Sequence, residues 1–269
     1  MARFEAAVRS PIAFRRSVGR LSTECLKQPP ETVGIKFEGR LFVWHVFEPR
    51  DDPIFGHEED GPSVTTVLED ESDESAVATD LQRFLSALAF HHDQPAEAVS
   101  YGGSGETDPY HPAIWRERRT HAVWTISEPY SEISLRPEKN VRLAIAYFRE
   151  GLNADSPFYR FLAFWNSLDV VFDAESDSPA RDSFLNAAAP RFAAAWNDHY
   201  LFPKNLAKAL RDDSRHAIAH VLRRRGKTTI DPDEAYDRMR LDMESTLLHT
   251  LAGAAIREKY PYAVVTNDH

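Results

Sequence analysis

The chain has 269 residues and a formal net charge of −10, with 32 Lys and Arg against 42 Asp and Glu. Its 42% hydrophobic and 28% charged residues exclude a disordered or collagen-like chain, and its single cysteine excludes an intramolecular disulfide framework. The sequence has neither a run of about 18 apolar residues nor a signal-peptide core, so we expect a cytoplasmic protein without membrane contact.

The first half of the sequence has the pattern of a mixed α and β domain. Alternating β-branched and aromatic residues over 33–48 predict two strands or one bent strand. Apolar residues at helical spacing over 75–91 predict an amphipathic helix. Further short strands are expected at 63–68, 97–103 and 122–126. We therefore predict an α+β domain over residues 1–135.

Two polar stretches of this half are expected to be loops. Acidic residues from 58 to 74 surround the strand predicted at 63–68 and indicate a solvated loop. The glycine cluster at 102–105 lacks the Gly-Lys-Ser/Thr ending of a phosphate loop, and no helix start follows it. We expect a flexible loop there as well.

The second half of the sequence is predicted to be nearly all helix. Apolar residues recur at helical spacing in five segments, at 137–151, 154–173, 179–198, 203–225 and 232–259. Because short connections join these segments, we predict an antiparallel helical bundle over residues 136–269. The domain boundary is expected between Pro129 and Pro137.

The positive charge of the second half is concentrated in one segment. Residues 1–135 carry 13 basic and 23 acidic side chains, whereas residues 136–269 carry 19 of each. Residues 204–227 contain eight basic side chains and two acidic ones, a net charge of +6. The global charge argues against a nucleic-acid partner, but a local basic patch is more informative than the total. A solvated helix face is the simpler interpretation of the same charges.

The helix predicted over 203–225 presents an arginine and a histidine outside its apolar side. On a helical wheel, Arg215 and His220 both avoid the side that faces the bundle. A histidine with a pKa of about 6.5 can transfer a proton at neutral pH, and an arginine can hold phosphoryl oxygens. This pair of side chains suits metal-independent RNA cleavage by attack of the ribose 2′-OH.

The spacing Arg-x4-His is weak evidence by itself. Chance pairing of 25 Arg and 11 His at one fixed spacing predicts about one occurrence, and the chain has four. Of these, only Arg215 and His220 lie on a predicted helix with small and aliphatic residues between and after them. Metal binding by His216 and His220 at i, i+4 is an alternative, but it lacks the Glu of a His-Glu-x-x-His motif and a third ligand. We expect no metal and no cofactor.

The segment from Arg215 to His220 resembles the Arg-polar-x3-His signature of HEPN domains, small helical bundles that include many bacterial RNases. The aromatic helix from Phe158 to Phe172 is similar to a helix of the Apea-like branch that has an acidic residue near its end. The resemblance covers roughly residues 137–260 and implies an all-α HEPN-like antiparallel bundle. One position departs from the family pattern, because His216 stands where the family often has Asn.

The resemblance also implies a function. Arg215 and His220 would be the catalytic pair of an endoribonuclease at a homodimer interface, with His216 and Asp169 in supporting positions. Bacterial defence, a toxin–antitoxin system or a stress response would be the setting, with RNA as substrate and an antitoxin or regulatory protein as a further partner. Neighbouring basic side chains would follow the RNA backbone, namely Arg211, Arg223, Arg224, Arg225 and Lys227.

Other interpretations of the same residues stay open. The bundle could be a non-catalytic HEPN-like module for dimerisation or partner binding. Arg215 could be a surface side chain ion-paired with Asp212, with His220 hydrogen-bonded at the bundle edge. The acidic first domain is expected to sense, regulate or recruit, or to shield the basic groove by charge attraction at low salt.

Overall fold

The chain divides into two compact units, one built on a sheet and one helical. The first unit comprises Met1–Arg136 together with Val264–His269, and the second comprises Pro137–Ala263. The α+β class predicted from the sequence is therefore confirmed, with a mixed-sheet region followed by a helical region. The computed structural model describes residues 2–9, 12–14, 31–46, 50–52, 56–60, 63–68, 74–104, 118–119, 124–126, 131–173, 178–193, 205–219, 230–231 and 233–267.

Twelve strands occur in the part of the chain that the structure describes. They are β1 (Ala2–Arg9), β2 (Ile12–Phe14), β3 (Glu31–Phe37), β4 (Arg40–Val46), β5 (Arg50–Asp52), β6 (Gly56–Asp60), β7 (Ser63–Leu68), β8 (Glu97–Ser104), β9 (Arg118–Arg119), β10 (Trp124–Ile126), β11 (Glu132–Leu135) and β12 (Val264–Asn267). Seven of them form one sheet in the order β12-β11-β3-β4-β7-β1-β8. Neighbours in this sheet are antiparallel except β11 and β3, which are parallel.

The alternating pattern over 33–48 proves to be a β-hairpin. Strands β3 and β4 pair in register from Glu31 opposite Val46 to Phe37 opposite Arg40. Glu38 and Gly39 form the two-residue connection, with φ values of 49° and 86°. Positive φ at both central positions is the requirement of a type I′ turn, whose twist matches that of the flanking strands. The expectation of two strands here is confirmed.

Strand β8 confirms the strand expected at 97–103, and two stretches expected to be loops contain strand residues. Gly102 and Gly103 of the glycine cluster belong to β8 and pair with β1, opposite Glu5 and Phe4. The acidic run includes β6, whose register sets Glu59 opposite Arg119 of β9.

Helix α1 (Glu74–His92) packs its apolar side on the large sheet. The Phe84 ring stacks on Phe42 at 4.9 Å between ring centres, and it also contacts Phe37 and Trp44 edge-on at 6.0 Å and 6.4 Å. All four side chains are buried. Such aromatic contacts add about 0.5–1.5 kcal/mol each beyond their buried area, so this cluster fixes α1 on the β3–β4 hairpin.

The second unit consists of helices and one π-helical segment. The helices are α2 (Lys139–Asn153), α3 (Pro157–Val171), α4 (Pro179–Ala193), α5 (Leu206–Ala209), α6 (His216–Ala219) and α7 (Ala235–Lys259). The π-helical segment, Leu210–Arg215, lies between α5 and α6. Helices α2, α3 and α7 pack on one another, α4 packs on α5, and α3 contacts the π-helical segment. The five helical regions predicted from the sequence are each represented.

Aromatic packing and one glycine set the spacing of α2, α3 and α7. The rings of Phe148, Phe164 and His249 lie 5.1–5.4 Å apart, one from each helix. A Cβ atom on Gly151 would lie 2.5 Å from the Phe164 ring, so α2 and α3 approach more closely than a larger residue allows. The Ser167 hydroxyl donates a 2.9 Å hydrogen bond to the Ala144 carbonyl across the same contact.

Among the helices that the structure describes, none combines the length and the apolar character needed to cross a membrane.

Candidate functional site

The candidate site is built on a helix that changes its winding along its length. Asn205 begins α5, and its side chain accepts a 2.9 Å hydrogen bond from the Lys208 amide. The backbone then widens into the π-helical segment, where the His216 amide donates to the Arg211 carbonyl, five residues earlier. The sequence predicted one uninterrupted α-helix here. Short π-helical turns are rare, and they occur frequently at functional sites.

One side of this helix is anchored in the core of the helical unit. Leu210 and Ser214 have no solvent exposure, and Ala217 is buried. The apolar side predicted from the helical wheel is therefore present for these residues. Arg211, Arg215 and His216 are half-buried, so they lie at the edge of this core rather than fully in solvent.

An ion-pair network connects the π-helical segment to α4 and α3. Arg211 is paired with Asp182 through Nη1 and with Asp212 through Nε at 3.3 Å. Arg181 contacts the same Asp182 carboxylate at 3.1 Å through Nη2, and it is also paired with Asp169. We call Asp169, Arg181, Asp182, Arg211 and Asp212 the acidic–arginine network.

Arg215 and His216 border this network. Burial raises the pKa of the Asp169 carboxyl above its usual value, and the nearby Arg181 and Arg215 cations oppose that rise. His216 Nδ1 lies 3.8 Å from Asp212 Oδ1, an ion pair whenever the imidazole is protonated. Arg215 therefore lies in the electrostatic field of Asp169, although the two residues are far apart in the sequence.

A second charged cluster holds the opposite side of the π-helical segment. Arg240 of α7 donates from Nη2 to the Asp213 carbonyl at 3.1 Å, and its Nε lies 3.6 Å from Glu244 Oε1. Arg240 and Glu244 are 6% and 1% exposed. Burial raises the pKa of Glu244 to about 7, although the Ser214 hydroxyl and the Arg240 cation lower it. We call Arg240 and Glu244 the α7 clamp.

The structure brings together four of the residues predicted as site residues. Asp169, Arg211, Arg215 and His216 meet around the π-helical segment, as described above. The remaining predicted residues lie outside the described residues: His220, Arg223, Arg224, Arg225 and Lys227.

Four residues of the site were not predicted from the sequence. Arg181 and Asp182 of α4 join the acidic–arginine network, and Arg240 and Glu244 form the α7 clamp. A signal for the clamp does exist in the sequence. Arg240 and Glu244 are four residues apart and lie on the same side of α7 as apolar residues such as Leu251. A helical wheel would therefore place both charged side chains in the core.

No group of three or more His, Cys, Asp or Glu side chains suited to a metal ion occurs in the part of the chain that the structure describes. The alternative metal site pairs His216 with His220, and the second of these lies outside the described residues. The charged groups around the π-helical segment can instead neutralise a phosphate and hold a proton.

A family described as methylamine utilization protein MauJ matches residues 144–257, which is less than half of the chain and lies within the helical unit. Comparison with curated proteins and with solved structures gives no match.

The expected HEPN membership is wrong, because the family match over the same helices is to MauJ. The resemblance depended on a six-residue motif and one aromatic helix. Arg-x4-His occurs four times in this chain, and aromatic side chains on a buried helix are ordinary core residues. Neither feature carries enough information to separate one family of helical proteins from another.

Proposed function

We propose that the helical unit is a metal-independent endoribonuclease in which Arg215 and His220 act on the RNA phosphate. The observation that supports this proposal is the convergence of Asp169, Arg211, Arg215 and His216 around one π-helical turn. Arg211, Arg215 and His216 are neighbours on one helical segment, whereas Asp169 comes from α3 and was expected here only from the HEPN resemblance.

The proposed chemistry needs only a proton carrier and a fixed cation. His220 takes the proton from the ribose 2′-OH, whose oxygen attacks the adjacent phosphorus. The bond from phosphorus to the 5′-oxygen breaks, and the protonated His220 gives its proton to that oxygen. The products are a 2′,3′-cyclic phosphate and a 5′-hydroxyl, and the histidine is neutral again. General acid–base catalysis of this kind contributes about 10²–10⁴-fold in rate.

Arg215 neutralises the charge that develops on the phosphoryl oxygens. An arginine fork fits two such oxygens, and a cation fixed in advance stabilises the transition state without reorganisation. Asp169 lies close enough to Arg215 for the two charges to interact. The buried Arg181 is paired with the same carboxylate, so Asp169 is itself held in place.

The proposal is tested by the reaction products. The purified 269-residue chain is incubated with a mixed-sequence RNA oligomer in excess EDTA, and the products are analysed for their ends. We expect 2′,3′-cyclic phosphate and 5′-hydroxyl ends, with no cleavage of the 2′-deoxy oligomer. Cleavage of the deoxy oligomer, or cleavage only with a divalent cation, contradicts the proposed chemistry.

A non-catalytic partner-binding module is the second candidate function. Arg181 and Arg211 each contact two carboxylates of the same chain, which neutralises part of the charge that RNA binding requires. The description of the matching family, methylamine utilization, points to a role outside RNA metabolism. Under this candidate, deletion of the gene impairs growth on methylamine, and the purified chain cleaves no RNA.

Several expectations remain predictions. RNA as substrate belongs to the first proposal. The homodimer, an antitoxin or regulatory partner, and the cytoplasmic location stay untested expectations. The defence or toxin–antitoxin setting depended on the HEPN resemblance alone, so it forms no part of the proposal.

A further inference from the structure

The α7 clamp contacts the backbone of the π-helical segment. Arg240 donates to the carbonyl of Asp213, inside the widened turn. Arg240 and Glu244 are themselves 3.6 Å apart and buried. Ser214, the residue after Asp213, is fully buried, and its hydroxyl lowers the pKa of the Glu244 carboxyl. One buried pair of charges on α7 therefore holds the backbone of the turn two residues before Arg215.

A contribution to folding stability does not by itself explain why the Arg240–Glu244 pair is buried beside the π-helical segment. The desolvation of two buried charges is costly, and well-packed apolar side chains often replace such a pair without loss of stability. Polar groups in a core can instead specify one register among several. Here the alternative registers are those of an α-helix and a π-helix over Leu210–Arg215.

The π-helical segment is held from two sides. Arg211 is paired with Asp182 of α4, while the Asp213 carbonyl is held by Arg240 of α7. A π-helical turn contains about one residue more than an α-helical turn. That extra residue lets one short segment make both the contact with Asp182 and the contact with Arg240. Removing that residue from the turn would rotate everything after it by about 100°, which would turn Arg215 away from Asp169.

From these contacts we infer that Arg240 and Glu244 are positioning residues, which hold the π-helical register from α7 and so fix Arg215 beside Asp169. The consequence for RNA cleavage rests on the proposed function, whereas the effect on the register does not. Neither residue contacts substrate in this inference, because both act through the turn at Asp213 and Ser214.

The contact between the α7 clamp and the π-helical turn is also expected to depend on pH. Burial raises the pKa of Glu244 to about 7, Asp213 and Asp237 raise it further, and Ser214 and Arg240 lower it. The ionised carboxylate pairs with Arg240, whereas the neutral carboxyl leaves Arg240 with the Asp213 carbonyl alone. A change in the π-helical turn is therefore expected between about pH 6 and pH 8.

The experiment follows the conformation of the π-helical turn directly, by NMR on the whole chain. The two signals are the His216 amide, which donates to Arg211, and the side-chain Nε–H of Arg215. We expect Arg240→Met to shift both signals, Arg240→Lys to shift them less, and Glu244→Gln to remove their change between pH 6 and pH 8. Arg238→Met and Glu258→Gln, exposed positions on the same helix, are the matched controls and should leave both signals unchanged.

Two results distinguish this inference from the proposed function. Unchanged His216 and Arg215 signals in folded Arg240→Met and Glu244→Gln overturn the inference. If the Arg240→Met variant does not fold, the same NMR signals of His216 and Arg215 are measured in the nearly isosteric Glu244→Gln variant, and they test the inference. Shifted signals in a chain that cleaves no RNA support the inference and contradict the proposed function. If the wild type cleaves RNA, Arg240→Met should lower kcat by up to ~10²-fold with KM little changed.

Discussion

Arg181 is ion-paired with Asp169 although the arginine side chain has no solvent exposure. Its guanidinium carbon lies 4.5 Å from the centre of the Trp165 ring, so the cation is also stabilised by the aromatic face. Because Asp169 in turn interacts with Arg215, this buried pair connects the core of the helical unit to the candidate site.

Removing Arg181 should destabilise the chain strongly. Arg181→Met leaves Asp169 without its buried partner, and breaking such a pair costs about 3 kcal/mol. Arg181→Lys should recover only part of the loss, because an ammonium lacks the planar fork that contacts Asp169 and Asp182. Urea unfolding followed by circular dichroism measures both changes in the free energy of unfolding.

The matched control for this prediction is a surface pair. Arg83 lies 3.7 Å from Asp80 on α1, and its side chain is 40% exposed. Arg83→Met should change the free energy of unfolding by less than about 1 kcal/mol. Equal effects of Arg181→Met and Arg83→Met would contradict a structural role for the buried pair.

Gly151→Ala should destabilise the helical unit even though alanine favours helix. The added Cβ would lie 2.5 Å from the Phe164 ring, and overpacking of a core costs about 1–3 kcal/mol. Gly253→Ala is the control, because its added Cβ first meets the end of the Arg257 side chain at 3.1 Å. That flexible group can move, so Gly253→Ala should be neutral or slightly stabilising. A melting temperature of Gly151→Ala at or above that of the wild type would refute the close approach of α2 and α3.

Glu244 should make stability fall as the pH rises through neutrality. Between about pH 4.5 and 7, the folded chain keeps Glu244 protonated while the unfolded chain ionises it. The folded state then binds more protons, so the free energy of unfolding decreases with pH, by at most ~3 kcal/mol in total. The Glu244→Gln variant should lose this dependence of the free energy of unfolding on pH, whereas the Glu258→Gln variant should retain it. The measurement is urea unfolding at pH 5 and at pH 8, and the same slope in Glu244→Gln would be contrary to expectation.

His92 should have the opposite effect in the sheet unit. Burial, with a smaller contribution from His91, lowers the pKa of His92 to about 4. The unfolded chain takes up this proton from about pH 6.5 downward, so stability is lost as the pH falls from 6.5 to 4. His92→Gln should reduce that loss, whereas His91→Gln should retain most of it, because burial is the larger cause. Equal acid sensitivity of His92→Gln and the wild type, measured by thermal unfolding, would argue against a half-buried His92 that stays neutral in the folded chain.

Local patterns predicted every helical region but only five of the twelve described strands, and strand pairing between distant segments accounts for much of the difference. Helix α1 and the β3–β4 hairpin follow from periodicity and from a turn at Glu38 and Gly39, which are properties of neighbouring residues. Strand β12 was not predicted, because its four residues pair with β11, more than 120 residues earlier. Such a short strand has no local signal that distinguishes it from a tail.

Only part of the site could be predicted from the sequence: Arg181, Asp182, Arg240 and Glu244 were missed, and so was the π-helical backbone. The helical wheel indicated which residues of 203–225 face the core, and Leu210 and Ser214 are buried accordingly. The π-helical register was not predictable from that segment, since contacts from Asp182 on α4 and Arg240 on α7 hold it. The family assignment failed because it depended on a short motif that recurs in the same chain.

The proposed function requires Arg215 and His220 to take part in RNA cleavage without a metal. The most direct test is the single-turnover cleavage rate of an RNA oligomer in excess EDTA, for the wild type, Arg215→Ala and His220→Ala. Arg191→Ala, at an exposed position of α4, is the control. We predict losses of about 10²–10⁴-fold for the two site variants and an unchanged rate for the control. Cleavage by both site variants at the wild-type rate, or no cleavage by the wild type, would contradict the claim.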